Sequence, residues 1–441
     1  MSNDLYRAFW RWHFYAGLIA LPFLAWLAVT GGLYLFKPEI ERLVYKDWIT
    51  LSSTREALPA SRLIAAAEEQ TGGEVTQVEV PASTAESWRM RVQLGDEART
   101  AFVDPGSGTV FGSTKAGGIM KTVRDLHSLV ITGTLGNALI EIAAGWAIVL
   151  VVTGLVLWWP RGSNKALALR GPPRQRRFWR DLHASTGVLA GGIVLFLAVT
   201  GMPWSVFWGA QVQRMVAENG LGRPKGPGPQ PWEIGKAGGG GHEHGAAAAR
   251  REALPWALQE ATPPQASGSS DVCVDIAAAV ARSAGVGAPM TISLPLDVGQ
   301  PYSFTRVINR SEDARAVYVE PSSGRILQNA SYAQFGKGAQ LIEWGIATHQ
   351  GQQYGPANRW IMLAGCLSLL LLCVSAPVLW WKRRVQRRLL APPLPKDRNR
   401  GKVATAAAAV LGILYPLTGA TMVVVVIFDR VWAQRRPASR G

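Results

Sequence analysis

Charge is what this sequence lacks most. Asp, Glu, Lys and Arg make up 17% of its 441 residues, below the roughly 25% typical of soluble domains. Cysteine is nearly missing: the three residues, Cys273, Cys366 and Cys373, have no motif spacing. That excludes a disulfide framework and a thiolate metal site. Cys366 and Cys373 share one face of an apolar stretch and read as packing residues. There is no H-E-x-x-H, no G-x-S-x-G, no Walker loop and no G-x-G-x-x-G after a strand, so those hydrolase and nucleotide-binding designs are excluded. Histidine is scarce too, at six, which makes the placement of each one informative.

What the chain does have is apolar length, 18 Trp and a net charge of +16. Spread over a soluble surface, that charge would suggest nucleic acid. Here it clusters at the ends of apolar runs, which points to membrane lipid as the partner and not to nucleic acid. Residues 1–36 are a basic start and a first spanning helix. From His13 to Gly31 such a helix rises about 27 Å, close to the hydrocarbon thickness. The run is too long for a signal peptide's apolar core and ends in bulky Tyr34, Phe36 and Lys37, so it reads as uncleaved.

Residues 37–118 have helix-then-strands character: an amphipathic helix over Ser61–Gln70 with a Ser cap, then alternating strands at 75–80 and 88–94 and a strand-turn-strand from Ala101. Residues 119–160 hold an outer interfacial segment and a second span ending at Trp158-Trp159. One helix from His127 to Trp158 would be about 46 Å long, so Gly133 and Gly136 are expected to break it. Residues 161–182, with Arg161, Lys165, Arg170, Arg174, Arg176, Arg177 and Arg180, form a basic loop that belongs in the cytoplasm. A third span (183–209), a flexible Gly/Pro/Ala-rich insertion (210–270) and a second soluble domain (271–340) follow. An interfacial segment with a fourth span (341–382), a basic loop (383–402) and a fifth apolar run (403–428) close the chain. Arg430, Arg435 and Arg436 beyond that run break the charge bias. The spans themselves read as free of carboxylates and lysines, which counts against a transporter. The fold class is an α-helical membrane bundle of four core helices and a fifth, with two α+β domains outside the membrane.

A repeat organises the chain. His13 stands before Gly17 and Leu27-Ala-Val-Thr-Gly31, as His183 stands before Gly187 and Leu197-Ala-Val-Thr-Gly201. His127 precedes Trp158-Trp159 at the offset by which His349 precedes Trp380-Trp381. The first pair falls on the cytoplasmic side and begins its helices; the second precedes its helices on the outer side. Two axial imidazoles on one iron each stand at about 2 Å from it, so ligands must come from one membrane face. His13 with His183, and His127 with His349, are therefore the candidate haem-iron ligand pairs. Gly17 and Gly187, one turn on, suit a flat macrocycle lying against the helix. Arg124, Arg180 and Arg359 are candidate propionate partners. The alternative is that duplication copied four structural histidines. His242 and His244 flank Glu243 in the Gly-rich insertion, where no preorganised metal geometry is expected. Thr30-Gly31 and Thr200-Gly201 read as close helix packing.

With its paired L-A-V-T-G ends, Thr200-Gly-Met-Pro-Trp204, Leu126-His127 and the D/E-P-x-x-G hairpins at Asp104 and Glu320, the chain resembles the PepSY-associated transmembrane family. The likeness spans nearly all of it except the Gly-rich insertion. Members include inner-membrane, haem-containing ferric-siderophore reductases, so the resemblance implies two haem b groups and two periplasmic PepSY-like domains. It also implies electron flow from a quinol or a cytoplasmic reductase to a periplasmic ferric siderophore or other ferric chelate. The alternative from another class is a non-catalytic membrane module that binds or restrains an envelope peptidase.

Overall fold

The computed structural model describes residues 3–52, 55–159, 167–218, 246–259, 261, 263–267, 271–383, 391–392, 406 and 409–434. The first half holds α1 (Asn3–Tyr34), α2 (Lys37–Val44), α3 (Lys46–Ile49), α4 (Ala60–Thr71), β1 (Glu74–Val80), β2 (Trp88–Leu94), β3 (Glu97–Val103), β4 (Val110–Lys115), α5 (Gly118–His127) and α6 (Thr134–Trp158). Next come α7 (Arg176–Gly201), α8 (Val206–Glu218), α9 (Ala246–Glu252), α10 (Trp256–Gln259) and α11 (Val274–Ser283). The rest is β5 (Met290–Ser293), β6 (Tyr302–Arg306), β7 (Arg315–Val319), β8 (Ile326–Ser331), α12 (Lys337–His349), α13 (Pro356–Lys382) and α14 (Pro416–Gln434). Two compact units result: a helical one of residues 1–35, 125–210 and 360–441, and a sheet-bearing one of 36–124 and 211–359.

In the helical unit, four helices are long and apolar enough to cross a membrane: Asp4–Tyr34, Thr134–Trp158, Arg176–Trp204 and Pro356–Lys382. At its centre α6 packs against α1, α7 and α14. Trp146 of α6, fully buried, stacks on Trp12 of α1 at 6.2 Å. Small residues allow the close approaches. A Cβ on Gly365 of α13 would come within 2.6 Å of Ile193 on α7, and one on Gly145 within 2.0 Å of Thr418 on α14. The break expected before α6 falls at Gly133, whose φ of 82° suits glycine. Gly136 lies inside α6.

One expectation about the spans is corrected. Glu141 lies within α6 at 2% exposure, one carboxylate oxygen accepting the Phe207 N–H at the start of α8 (2.8 Å). The acid stands inside the bilayer segment because it caps a second helix, satisfying an N–H that helix cannot bond itself.

The sheet unit is built on one antiparallel sheet of eight strands, ordered β4-β3-β2-β1-β5-β6-β7-β8. Two separate α+β domains were expected; instead β1 and β5 pair edge to edge and join both halves. Val78 explains the join. It stands opposite Met90 on one side and Ile292 on the other, and all three are buried in one row. Helices α4 and α11 cover that row with Leu63, Ala67, Ala277 and Ala281, and sharing a strand boundary leaves neither half with a bare edge there. Ser61 is not the cap of α4: it lies in the first turn, where its N–H and hydroxyl both donate to Asp275 of α11.

The two hairpin turns match. Gly108 (φ 79°) donates its N–H back to the Asp104 carbonyl, and Gly324 (φ 73°) does so to that of Glu320. The insertion expected over 210–270 holds helical stretches among its described residues, at 210–218, 246–252 and 256–259, with Trp256, Ala257 and Leu258 buried in a core with Tyr318 and Phe335. His242, Glu243 and His244 lie outside the described residues.

Candidate functional site

His13 and His183 meet. Each lies inside its helix, not at the start, and their ring centres are 6.2 Å apart with planes crossed at 89°. The hydroxyl of Thr153 on α6 stands 2.9 Å from His13 Nδ1, and that of Ser375 on α13 stands 2.8 Å from His183 Nδ1. Four helices thus contribute one residue each.

Satisfying every hydroxyl and carbonyl around the rings argues for one tautomer. Thr153 donates its one proton to the Val149 carbonyl (2.6 Å), and Ser375 donates its own to Leu372 (3.2 Å). Each oxygen can then only accept, so each histidine donates from Nδ1–H and keeps a lone pair on Nε2. A neutral imidazole with a free Nε2 and an anchored Nδ1–H is the form that ligates a metal. Thr153 and Ser375 were not singled out from the sequence. Their signal was there: Val152-Thr-Gly154 repeats Val29-Thr-Gly31 and Val199-Thr-Gly201, and Val374-Ser-Ala376 is a variant of it.

The same device holds His127. Its Nδ1 is 2.8 Å from the hydroxyl of Thr30, which donates to the Trp26 carbonyl (2.7 Å). Burial holds its pKa down at about 4, so the ring is neutral. The close helix packing expected at Thr30-Gly31 is joined by a second role, because the ring lies on the glycine: a Cβ on Gly31 would stand 3.1 Å from His127 Cε1 and 4.0 Å from Cys366 Sγ. Gly154 does the same for His13, at 3.2 Å. His349 ends α12 and is half-buried; it belongs to the sheet unit, whereas His127 belongs to the helical one.

Gly17 and Gly187 occupy matching places. A Cβ on the first would stand 3.8 Å from Leu150 and on the second 3.8 Å from Leu372, both ordinary contacts. Protein packing alone therefore does not require glycine at either position. The three arginines considered for propionates each meet a carboxylate: Arg124 meets Glu252 at 3.1 Å, Arg180 meets Asp181 at 2.8 Å, and Arg359 meets Glu39.

The donor set can be tested against haem. An iron at about 2 Å from each Nε2, with each ring centre about 1.1 Å beyond its nitrogen, sets the centres roughly 6 Å apart. The observed 6.2 Å between ring centres matches that spacing. Among the described residues no group of three or more His, Cys, Asp or Glu gathers as a metal-ion site. Two imidazoles suit a metal that brings its remaining ligands with it, as haem iron does. Residues 10–383 match the family described as PepSY-associated TM region. No curated protein matches the chain.

Proposed function

The chain belongs to the family of the PepSY-associated TM region, and from that membership and the histidine geometry we propose that it is a haem-dependent membrane oxidoreductase. The observation that carries this reading is the His13–His183 pair, 6.2 Å apart with both Nδ1–H groups anchored on hydroxyls. These two histidines would hold one haem b by Nε2. When bound, haem supplies reversible one-electron chemistry.

The chain's own residues do the rest. Thr153 and Ser375 hold the two rings in the ligating tautomer, and Gly154 lets the His13 ring lie close to α6. Gly17 and Gly187 leave the adjoining helix faces bare. Thr30 and Gly31 prepare His127 in the same way as ligand to a second haem b, with His349 expected from the sequence as its mate.

The substrate class is a ferric chelate, a ferric siderophore in particular, taken on the periplasmic side of an inner membrane. The electron donor is a quinol or a reduced cytoplasmic carrier. One electron converts ferric to ferrous iron, and a hard-oxygen chelator holds the ferrous ion far less well, so the metal is released and the chelator is left intact.

The test is a visible spectrum of the detergent-purified chain, oxidised and then dithionite-reduced, with haem quantified per chain. Two low-spin b haems per chain are expected, and His13→Ala should remove one. Absence of a Soret band after expression with ample haem would end this reading and leave the non-catalytic module that binds an envelope peptidase.

A further inference from the structure

The last apolar run, read from sequence as a fifth span over 403–428, is broken. Residues 409–414 are helical, Tyr415 is not, and α14 starts at Pro416. Proline brings no N–H to the preceding ladder and drives the residue before it out of the helical region. The chain reverses at this point. A Cβ on Gly419 would stand 2.4 Å from the Gly412 carbonyl oxygen, and one on Gly412 would stand 3.0 Å from the Gly419 Cα. Residues seven apart on one continuous helix are separated by about 10 Å along its axis and cannot make that contact.

The returning limb follows α6. Thr418 donates to the Ile142 carbonyl, and the Trp146 indole N–H donates to the Thr421 hydroxyl at 2.9 Å. The limb ends at α1, where Asp429 accepts from both the Arg11 guanidinium and the Tyr15 hydroxyl. The same guanidinium donates to the carbonyl of Pro392. Residues on either side of the run, 392 and 429, therefore converge on one side chain near the start of α1. The apolar part of α14, Pro416–Asp429, is also shorter than the ~20 residues a span takes.

We infer that the run is a re-entrant hairpin. It enters and leaves at the end of the bundle where α1 begins, and it returns the C-terminus to the side of the 161–182 and 383–402 loops. Three consequences agree with this. Arg430, Arg435 and Arg436, which break the charge bias of a fifth span, join the other basic blocks. The half-buried Tyr415 at the non-helical turn packs its ring 5.8 Å from that of Trp208, a protein contact of the kind irregular backbone at membrane depth needs. Arg11, 9% exposed and two residues before His13, gains a carboxylate that neutralises its charge. The hairpin meets α1 on the Arg11–Tyr15 face, two residues either side of His13 and so turned away from it, and it lies beyond residue 383, where the family match ends. The inference does not depend on haem.

Cysteine labelling of the full chain tests it. The three native cysteines are replaced by alanine, and single cysteines are placed by Leu169→Cys in the α6–α7 loop, Ser323→Cys in the β7–β8 turn and Gly441→Cys at the terminus. A membrane-impermeant maleimide is applied to sealed spheroplasts and to permeabilised membranes. Leu169 and Ser323 are separated by one crossing, α7, so they report opposite faces whichever way the chain is inserted. Gly441→Cys is expected to label with Leu169→Cys. Labelling with Ser323→Cys would mean five crossings and would overturn the hairpin.

Discussion

Replacing Thr153 by valine removes one oxygen and keeps the side-chain shape, so it isolates the anchoring of His13. In the unchanged chain that oxygen accepts the Nδ1–H of His13 at 2.9 Å while its own proton goes to Val149. After the substitution the ring loses its hydroxyl acceptor and keeps only the Leu150 backbone carbonyl, so the cost falls at the low end of about 1–3 kcal/mol. The ring can recover part of this by turning or by moving its proton to Nε2, and either response spoils the ligand. Losing a partner of this kind typically lowers metal affinity about 10–100-fold. The assay is titration of detergent-purified apoprotein with haem, followed at the Soret band. Thr153→Val should weaken one of two equivalents by that factor, Thr153→Ser should restore it, and Ser375→Ala should act on the same equivalent. Equal affinity in Thr153→Val, with His13→Ala still losing one haem, would refute the anchoring argument. Unchanged binding in all four variants would refute the ligand pair itself.

Other outcomes follow from the same geometry. Gly154→Val should displace the His13 ring, since even a Cβ there stands 3.2 Å from Cε1; haem content should fall by one per chain. Gly192→Val, with no atom within 4 Å of its Cβ position, serves as the neutral control. Gly17→Leu should lower haem uptake while the haem-free chain unfolds at nearly its usual temperature, because the nearest protein atom is 3.8 Å from a Cβ there; a large loss of stability without haem would show that the position serves helix packing. Glu343, at 2% exposure, has its carboxyl pushed up by burial from 4.5 to about 7, with the Ala257 N–H partly opposing. The folded chain then holds this proton more tightly than the unfolded one, so stability is full below about pH 4.5 and falls by about 3 kcal/mol as pH rises through 7. Glu343→Gln should flatten that fall in thermal unfolding between pH 5 and 8; an identical slope would rule out Glu343 as its source.

Much of the architecture was legible in local pattern. Apolar runs of bilayer length, Gly133 as a break before α6, strands over 75–80 and 88–94, and the paired Asp104 and Glu320 turns all depend on residues close in sequence, and the structure has each, although Val75–Val78 of β1 are buried without alternating. The short strands β5 and β6 were missed because their identity rests on partners: β5 exists as the neighbour of β1, more than 200 residues earlier. Glu141 was overlooked because a carboxylate in an apolar run makes sense only beside the helix start it caps.

The sequence by itself determined a membrane chain with four spans and singled out His13, His183, His127 and His349, because hydropathy and repeat offset are written along the chain. Tertiary structure alone decided that His13 and His183 face each other, that Thr153 and Ser375 set their tautomers, and that both β-halves share one sheet. Turning the fifth run back toward Arg11 was likewise a tertiary decision. The physical reason is common to all of these. Bilayer insertion and strand alternation are local responses to solvent, whereas a proton's position on a ring, a strand's neighbour and a buried arginine's counter-charge depend on atoms that only folding brings within about 3 Å.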